Sequence, residues 1–171
     1  MILAIDPGNV YSAFVVLNSD YNIQDFGKVD NRKILIDICQ GNFDYCHTMV
    51  VEMIASYGMA VGKEVFDTCV WIGKFEQAFS HNVKYIYRKE EKINLCRSMK
   101  AKDSNIRMAL IDRFARHDFK NGKGTKANKD FFYGFKTDIW AAMAVAVTFL
   151  DKEKESESKI DQILVLKSFE A

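Results

Sequence analysis

The chain has 171 residues, of which 49% are apolar and 27% charged, with nine glycines and one proline. Disordered and linker-rich chains carry far more glycine and proline, so this composition predicts one globular domain. The longest uncharged apolar stretch, residues 139–150, is about half of what a bilayer requires, and no basic region precedes the apolar N-terminal run. We expect no membrane partner and no signal peptide. Four scattered cysteines without a Cys-x-x-Cys pair favour reduced thiols in a cytoplasm.

The net charge of +1 conceals an uneven distribution along the chain. Residues 1–81 carry a net charge of −5, residues 82–136 carry +9, and residues 137–171 carry −3. A segment at +9 predicts a face that binds a polyanion such as nucleic acid. The alternative is a solvated surface whose charges are offset by acidic neighbours after folding.

The first forty residues read as a β-meander followed by a short helix. Residues 2–5 form a continuous apolar run, which is typical of a strand buried on both faces. Turns then separate it from predicted strands at residues 12–17 and 21–27, and a short helix is expected over residues 33–39.

Strands and helices alternate in the remainder of the chain. Residues 48–53 and 83–87 are predicted strands, and between them lies a helix of some twenty residues with one apolar stripe, formed by Val61, Val65, Cys69, Ile72 and Phe79. Two further helices are expected at residues 104–116 and 138–150. This order predicts an α/β fold with a five-stranded mixed sheet and helices on both faces, covering residues 1–150.

Two segments read as irregular. Residues 120–129, with four lysines and no large apolar side chain, predict a mobile loop. Residues 151–159 read as a charged connector, which leads to a short apolar C-terminal segment ending at residue 171. The apolar residues of that segment either pack back on the domain or dock on a partner; they are Ile160, Ile163, Leu164 and Leu166.

Three carboxylates occupy elements that are otherwise apolar. Asp6 ends the first predicted strand, Glu52 comes near the end of the fourth, and Asp138 begins an uncharged helix. Each alone has an ordinary interpretation as a turn, strand-end or helix N-terminal acid. Converging buried carboxylates repel one another unless a cation lies between them. Together they predict a divalent-metal site, and Mg²⁺ suits such oxygen ligands while leaving room for water and phosphate.

These residues carry a family resemblance. The segments Ala4-Ile5-Asp6-Pro7-Gly8, Val50-Val51-Glu52 and 137–146 (TDIWAAMAVA) resemble, in order and spacing, three motifs of the RuvC-type Holliday-junction resolvases. That family belongs to the ribonuclease-H-like superfamily, and the similarity is greatest to a small phage-type branch. The resemblance spans roughly residues 1–150. It implies a bacterial or phage-infected host cytoplasm and a ribonuclease-H-like fold.

The late helix departs from the family pattern at one position. Bacterial members show two acids three residues apart, but here Ala141 stands where the second acid would follow Asp138. Shifting the alignment by one helical turn makes Asp138 the second acid instead. Either alignment leaves three carboxylates rather than four, so one metal and two metals both remain open.

The resemblance implies a Mg²⁺-dependent endonuclease, with Mn²⁺ able to substitute, that cleaves Holliday junctions and other branched DNA. Asp6, Glu52 and Asp138 would be the catalytic metal ligands, and Lys102 would lie near the scissile phosphate as a lysine of the family does. The alternative for Lys102 is an ordinary solvated lysine at a helix start. Cutting two strands of a two-fold symmetric junction favours a homodimer.

The basic segment supplies the predicted DNA-binding residues. Arg107 falls within an apolar helix face, so it either pairs with a buried carboxylate or reaches a phosphate. Tyr57 is a candidate for stacking on an unpaired base, although local packing is the ordinary role of a loop tyrosine. The lysines of the loop are expected to contact backbone phosphates; they are Lys120, Lys123, Lys126 and Lys129.

Two other functions compete with this interpretation. An ATPase of the actin and sugar-kinase type also opens with a strand ending in Ile-Asp-x-Gly, but its second phosphate loop and duplicated domain exceed 171 residues. A structure-specific DNA-binding protein with a weakened catalytic site remains open because of Ala141.

Overall fold

The computed structural model describes residues 1–56, 58 and 60–169, with side chains as far as residue 162. Five strands and five helices are present in this part of the chain. The strands are β1 (Ile2–Asp6), β2 (Tyr11–Leu17), β3 (Ile23–Asp30), β4 (Thr48–Met53) and β5 (Asn82–Tyr87). The helices are α1 (Asn31–Cys39), α2 (Lys63–Ala78), α3 (Arg88–Cys96), α4 (Asp103–Phe114) and α5 (Ile139–Phe169).

The strands form one mixed sheet in the order β3-β2-β1-β4-β5. β1 pairs antiparallel with β2 and parallel with β4, and β4 pairs parallel with β5. This is the five-stranded mixed sheet predicted from the sequence. No helix of the described residues is long and apolar enough to span a bilayer.

The alternation of side chains along the strands builds a core on each face of the sheet. Ala4 and Val50 pack with α4 and α5 on one face. Leu3 and Val51 pack with α1 and α2 on the other face. Both faces of the central strands are therefore buried, which is why β1 and β4 read as continuous apolar runs. The prediction of helices on both faces is confirmed.

The middle of the chain differs from its prediction in two places. The helix α3 was not expected, because its sequence RKEEKINLC is mostly charged and its wholly buried side chain is Glu91. The predicted apolar stripe before β5 is wrong in part, since Val61 precedes α2 and both Val61 and Cys69 are exposed. The face that α2 buries is formed instead by Thr68, Ile72 and Phe75.

The segment predicted as a charged connector, residues 151–159, is helical, because α5 continues through it as one helix to Phe169. Glutamate and lysine are good helix formers, so a charged segment can extend a helix into solvent. Asp151 anchors the extension by accepting hydrogen bonds from Tyr21, Asn94 and Arg113. Ile160 is 57% exposed and does not pack back on the domain; the side chains of Ile163, Leu164 and Leu166 lie outside the described residues.

The lysine-rich loop is tied down by a buried carboxylate. Asp130 accepts backbone N–H bonds from Arg116, His117, Asp118 and Phe131 at 2.6–3.0 Å. Although its burial acts in the opposite direction, these bonds hold the pKa of Asp130 well below its usual range. The segment predicted to be a mobile loop thus has both ends fixed at one side chain.

We predict that Asp130→Asn destabilises the protein by about 2 kcal/mol at pH 7, because an amide nitrogen would face backbone donors. The lowered pKa means that the folded state favours the carboxylate. Its contribution is therefore present above the unfolded pKa of about 3.8 and is lost as the pH falls further. Urea unfolding at pH 7 and pH 3 measures both effects. Asp112→Asn, at an exposed position of α4, is the control, and equal stability of Asp130→Asn and wild type at pH 7 would contradict the prediction.

Candidate active site

Parallel pairing of β1 with β4 brings two acidic residues to one edge of the sheet. Ile5 pairs with Val51, so Asp6 and Glu52 follow at neighbouring positions of adjacent strands. Neighbouring strands lie about 4.8 Å apart. By the two-residue period of a strand, Asp6 shares the face of Ala4 and Glu52 shares that of Val50, which is the face covered by α4 and α5.

The proximity of these two carboxyl groups disturbs their ionisation. Burial, followed by the charges of Glu52 and Asp138, raises the pKa of Asp6 to about 8. Burial also raises the pKa of Glu52, against the opposing charge of Arg88 and a hydrogen bond with Asp6. Both carboxyl groups therefore keep their protons to a higher pH than exposed acids do, as expected of neighbouring acids with restricted access to water.

Asp138 lies immediately before α5 and lines a cavity together with Asp6 and Glu52. Its carbonyl oxygen accepts the N–H groups of Ala141 and Ala142, and its carboxylate forms an ion pair with Lys28 of β3. A cavity of about 320 Å³ is lined by all three predicted acids together with Ala141. The face of α5 that follows Asp138 by one turn therefore borders the acidic cavity.

A cation also belongs to this cavity. Arg88 begins α3 directly after β5, and its Nη1 lies 3.9 Å from an Oε2 of Glu52. The guanidinium donates to Glu91 and Asp103, each at 2.5 Å. Sequence reasoning missed Arg88 and Glu91. The sequence pattern could have indicated Arg88. It is the first charged residue after the alternating strand β5, just as Asp6 is the first charged residue at the end of the apolar strand β1.

A second cavity of about 550 Å³ adjoins the acidic one and is basic and apolar. Asp103, Arg107 and Trp140 line both cavities. The guanidinium carbon of Arg107 lies 4.7 Å from the centroid of the Trp140 ring. None of the ion pairs found among the described residues includes Arg107, so the predicted carboxylate partner is not seen there.

Two of the predicted loop lysines join Arg107, and the others lie apart. Lys120 and Lys123 line the basic cavity. Lys126 and Lys129 are exposed, and the Nζ of Lys129 lies 4.8 Å from the centroid of Tyr133. Tyr57 lies outside the described residues.

Lys102 is exposed and precedes Asp103 at the start of α4. Asp103 itself lines the acidic cavity. Lys102 is next in sequence to this cavity residue but does not itself line the cavity. Its role near the scissile phosphate stays a prediction.

Comparisons with known proteins point to one fold. No protein-family model and no curated protein sequence matches the chain. The structure of RuvC from Thermus thermophilus aligns with a TM-score of 0.62 at 12% sequence identity, covering 86% of this chain and 91% of that one. T. thermophilus RuvC in complex with a Holliday junction substrate gives the same score and identity over 86% and 90%. The chain has a RuvC-like resolvase fold.

A poxvirus protein shares this resolvase fold. The Fowlpox virus resolvase in complex with substrate Holliday junction DNA aligns with a TM-score of 0.53 at 12% identity, covering 89% of this chain and 99% of that one. The ribonuclease-H-like architecture predicted from the sequence is therefore confirmed.

The acids of this resolvase fold suit a divalent cation in their chemistry. Burial raises the pKa of both Asp6 and Glu52, a nearby cation would lower them, and carboxylate oxygens are the ligands that Mg²⁺ prefers. Among the described residues, no three His, Cys, Asp or Glu side chains are close enough together to form a ligand set. Asp6 and Glu52 would hold the metal as neighbouring ligands, and Asp138 on the same cavity would join them as a third oxygen ligand only on leaving Lys28.

We predict that Asp6→Asn stabilises the protein in the presence of a chelator. The folded state retains the Asp6 proton up to pH about 8, whereas the unfolded chain loses it above about 3.8. The folded state therefore binds more protons in this window, and the free energy of unfolding falls as pH rises. The melting temperature of Asp6→Asn should exceed that of wild type by an amount that grows from pH 5 to pH 8, ~2–4 °C per kcal/mol.

The control for this measurement is Asp20→Asn. Leu17 pairs with Ile2, so the turn that contains Asp20 lies at the opposite end of the sheet from Asp6. Asp20→Asn should follow the wild-type pH profile. Parallel profiles for wild type and Asp6→Asn would show that the Asp6 carboxyl carries no excess proton.

Proposed function

We propose that this protein is a Mg²⁺-dependent endonuclease that cleaves Holliday junctions and other branched DNA. The observation that carries the proposal is the acidic cavity, which Asp6, Glu52 and Asp138 line within a RuvC-like resolvase fold. The two structural relatives described with Holliday junction DNA support branched DNA as the partner. Mn²⁺ substitutes for Mg²⁺, and the protein acts as a homodimer in a bacterial or phage-infected cytoplasm.

The bound metal would supply an activated water and stabilise charge on the phosphate oxygens. Asp6 and Glu52 would hold that metal, and both would have to be ionised to do so, although burial raises the pKa of each. Asp138, immediately before α5 and now paired with Lys28, would be a further oxygen ligand of that metal. The neighbouring basic cavity fixes the phosphates of the strand beside the cleaved bond.

We expect Asp6→Asn, Glu52→Gln and Asp138→Asn each to slow junction cleavage by roughly 100-fold or more, because each removes an oxygen ligand from the metal. Junction affinity should stay the same or rise, since each change removes a negative charge that repels phosphate. Cleavage of a labelled four-way junction and gel-shift titration measure the two quantities. Asp20→Asn is the matched control, and wild-type cleavage by Asp6→Asn would refute the metal site.

Phosphate contacts by the basic cavity predict a steep dependence of affinity on salt. The logarithm of the affinity should fall by about 0.9 per neutralised phosphate for each unit of log salt. The double variant Lys120→Gln/Lys123→Gln should reduce this slope by roughly 1.8 and weaken junction and plain duplex by similar factors. The control is Lys63→Gln/Lys74→Gln on α2, which covers the opposite face of the sheet. An unchanged slope in the first variant would place the DNA elsewhere.

The lining of the acidic cavity by Ala141 predicts the effect of restoring a fourth carboxylate. Ala141→Asp should remain folded and should lower the Mg²⁺ concentration for half-maximal cleavage, while lowering the melting temperature without metal because adjacent carboxylates repel. Ala142→Asp is the control, because Ala142 is wholly buried and an aspartate there should prevent folding. A soluble Ala141→Asp with an unchanged Mg²⁺ requirement would contradict the prediction.

A further inference from the structure

Arg88 is a fixed positive charge within the candidate active site. It lines the acidic cavity with Asp6 and Glu52, and it also lines a smaller cavity on the other side of the same two acids. An arginine side chain stays protonated at any physiological pH. A permanent cation thus borders the two acids that would hold a metal.

Two carboxylates determine where this guanidinium lies. Its Nη1 donates to Glu91 Oε2 and its Nη2 to Asp103 Oδ1, both at 2.5 Å. The Glu91 side chain is wholly buried, whereas that of Asp103 is 84% exposed. Within the described part of the chain, Glu91 Oε1 has no hydrogen-bond partner. A buried carboxylate with one unsatisfied oxygen costs free energy. The hydrogen bond from Arg88 to Glu91 Oε2 offsets part of this cost and fixes the position of the guanidinium.

The guanidinium retains hydrogen-bonding capacity toward the cavity. It carries five N–H donors, and the two short bonds use two of them. The Arg88 side chain is 25% exposed and faces both cavities. Its planar fork matches the geometry of phosphate oxygens, so a phosphate entering the cavity meets free donors.

One position on the α5 side of the cavity lacks a fourth acid. Ala141 lies on α5 one turn beyond Asp138, and a methyl group contributes no ligand for a second metal ion. Asp6, Glu52 and Asp138 provide enough negative charge for one divalent ion, and Arg88 already offsets part of it through Glu52. The lining of the cavity thus lacks a fourth acid at Ala141 and includes a cation at Arg88.

We propose that Arg88, held by Glu91 and Asp103, contacts the scissile phosphate and supplies the positive charge of a second metal ion, so that the site uses one. This inference rests on the proposed nuclease function and identifies Arg88 as a catalytic residue. Glu91 is a positioning residue, because it acts through Arg88. The proposal differs from a purely structural role, in which Arg88 only neutralises buried acids.

Metal binding distinguishes the two roles. If Arg88 is a resident cation, its removal leaves the acids less neutralised, so a divalent ion binds more tightly while cleavage slows. If Arg88 only supports the fold of the site, its removal weakens metal binding and cleavage together. If Arg88 is catalytic, its removal raises the metal affinity and lowers the cleavage rate. If its role is structural, its removal lowers both.

The experiment counts bound Mn²⁺ by electron paramagnetic resonance of the free ion, using the full chain without DNA, and measures junction cleavage at saturating Mn²⁺. Wild type should bind one ion per chain. Arg88→Gln should bind Mn²⁺ about tenfold more tightly, cleave roughly 100-fold more slowly, and keep its junction affinity within about threefold, since one phosphate contact is a small share of the total. Arg32→Gln, on an exposed position of α1, is the matched control.

Arg88→Gln leaves Glu91 buried without its partner and can fail to fold for that reason alone. The pair Glu91→Gln and Arg88→Gln/Glu91→Gln avoids this, because both variants lack the buried charge and differ only at Arg88. Tighter Mn²⁺ binding and slower cleavage in the double variant than in Glu91→Gln would support the proposal.

Three results would overturn the proposal: two Mn²⁺ ions bound by wild type, cleavage unaffected by loss of Arg88, or metal affinity that falls in step with the rate. The proposed nuclease function has its own failure. It fails if wild type neither binds Mn²⁺ nor cleaves the junction. A wild type that cleaves, with Arg88 variants that cleave equally well, rejects only the role of Arg88.

Discussion

The placement of two carboxylates side by side on buried parallel strands is the constraint that governs this structure. Pairing of Ile5 with Val51 brings Asp6 and Glu52 together, and both side chains are only partly exposed, on the lining of one cavity. Burial raises both pKa values, so folding carries an electrostatic cost that apolar side chains at these two positions would not have. Such a cost persists where a site requires it, and a bound cation is the simplest way to offset it. The elements around the two acids supply positive charge from three directions: Lys28 from β3, Arg88 from α3 and Arg107 from α4.

The strands and the faces of the sheet were predictable because their cause is local. Continuous apolar runs at β1 and β4 follow directly from burial on both faces, and the carboxylates that end them stand out against that pattern. The order and spacing of the acids then sufficed to place Asp6, Glu52 and Asp138 on one cavity. The same reasoning, applied to the charge that follows β5, would have found Arg88.

The remaining features depend on contacts between distant parts of the chain. Helix α3 has no apolar stripe to reveal it, because its buried residue is a glutamate that binds an arginine three residues earlier. The solvent-exposed extension of α5 begins at Asp151, which is held by Tyr21, 130 residues away in sequence. The fixed ends of the lysine loop depend on Asp130, which looked like one more charge in a charged segment. In each case a single polar side chain decides the structure, and periodicity carries no information about single residues.

The basic residues of segment 82–136 form two groups in the folded protein, one paired with carboxylates and one lining a cavity, and this arrangement suits the proposed DNA substrate. Arg88 and Arg113 are engaged by carboxylates, whereas Arg107, Lys120 and Lys123 line the cavity next to the acids. DNA phosphates are repelled by an acidic cavity, so the proposed nuclease activity requires that a phosphate approach the carboxylates against their field. Positive charges within a Debye length of about 8 Å can offset that repulsion at physiological salt. Because Arg107 and Trp140 belong to both cavities, the cations lie next to the acids rather than elsewhere on the surface. The arrangement places attraction for the backbone beside the point where the metal would act, which allows binding energy from neighbouring phosphates to hold the cleaved one in place.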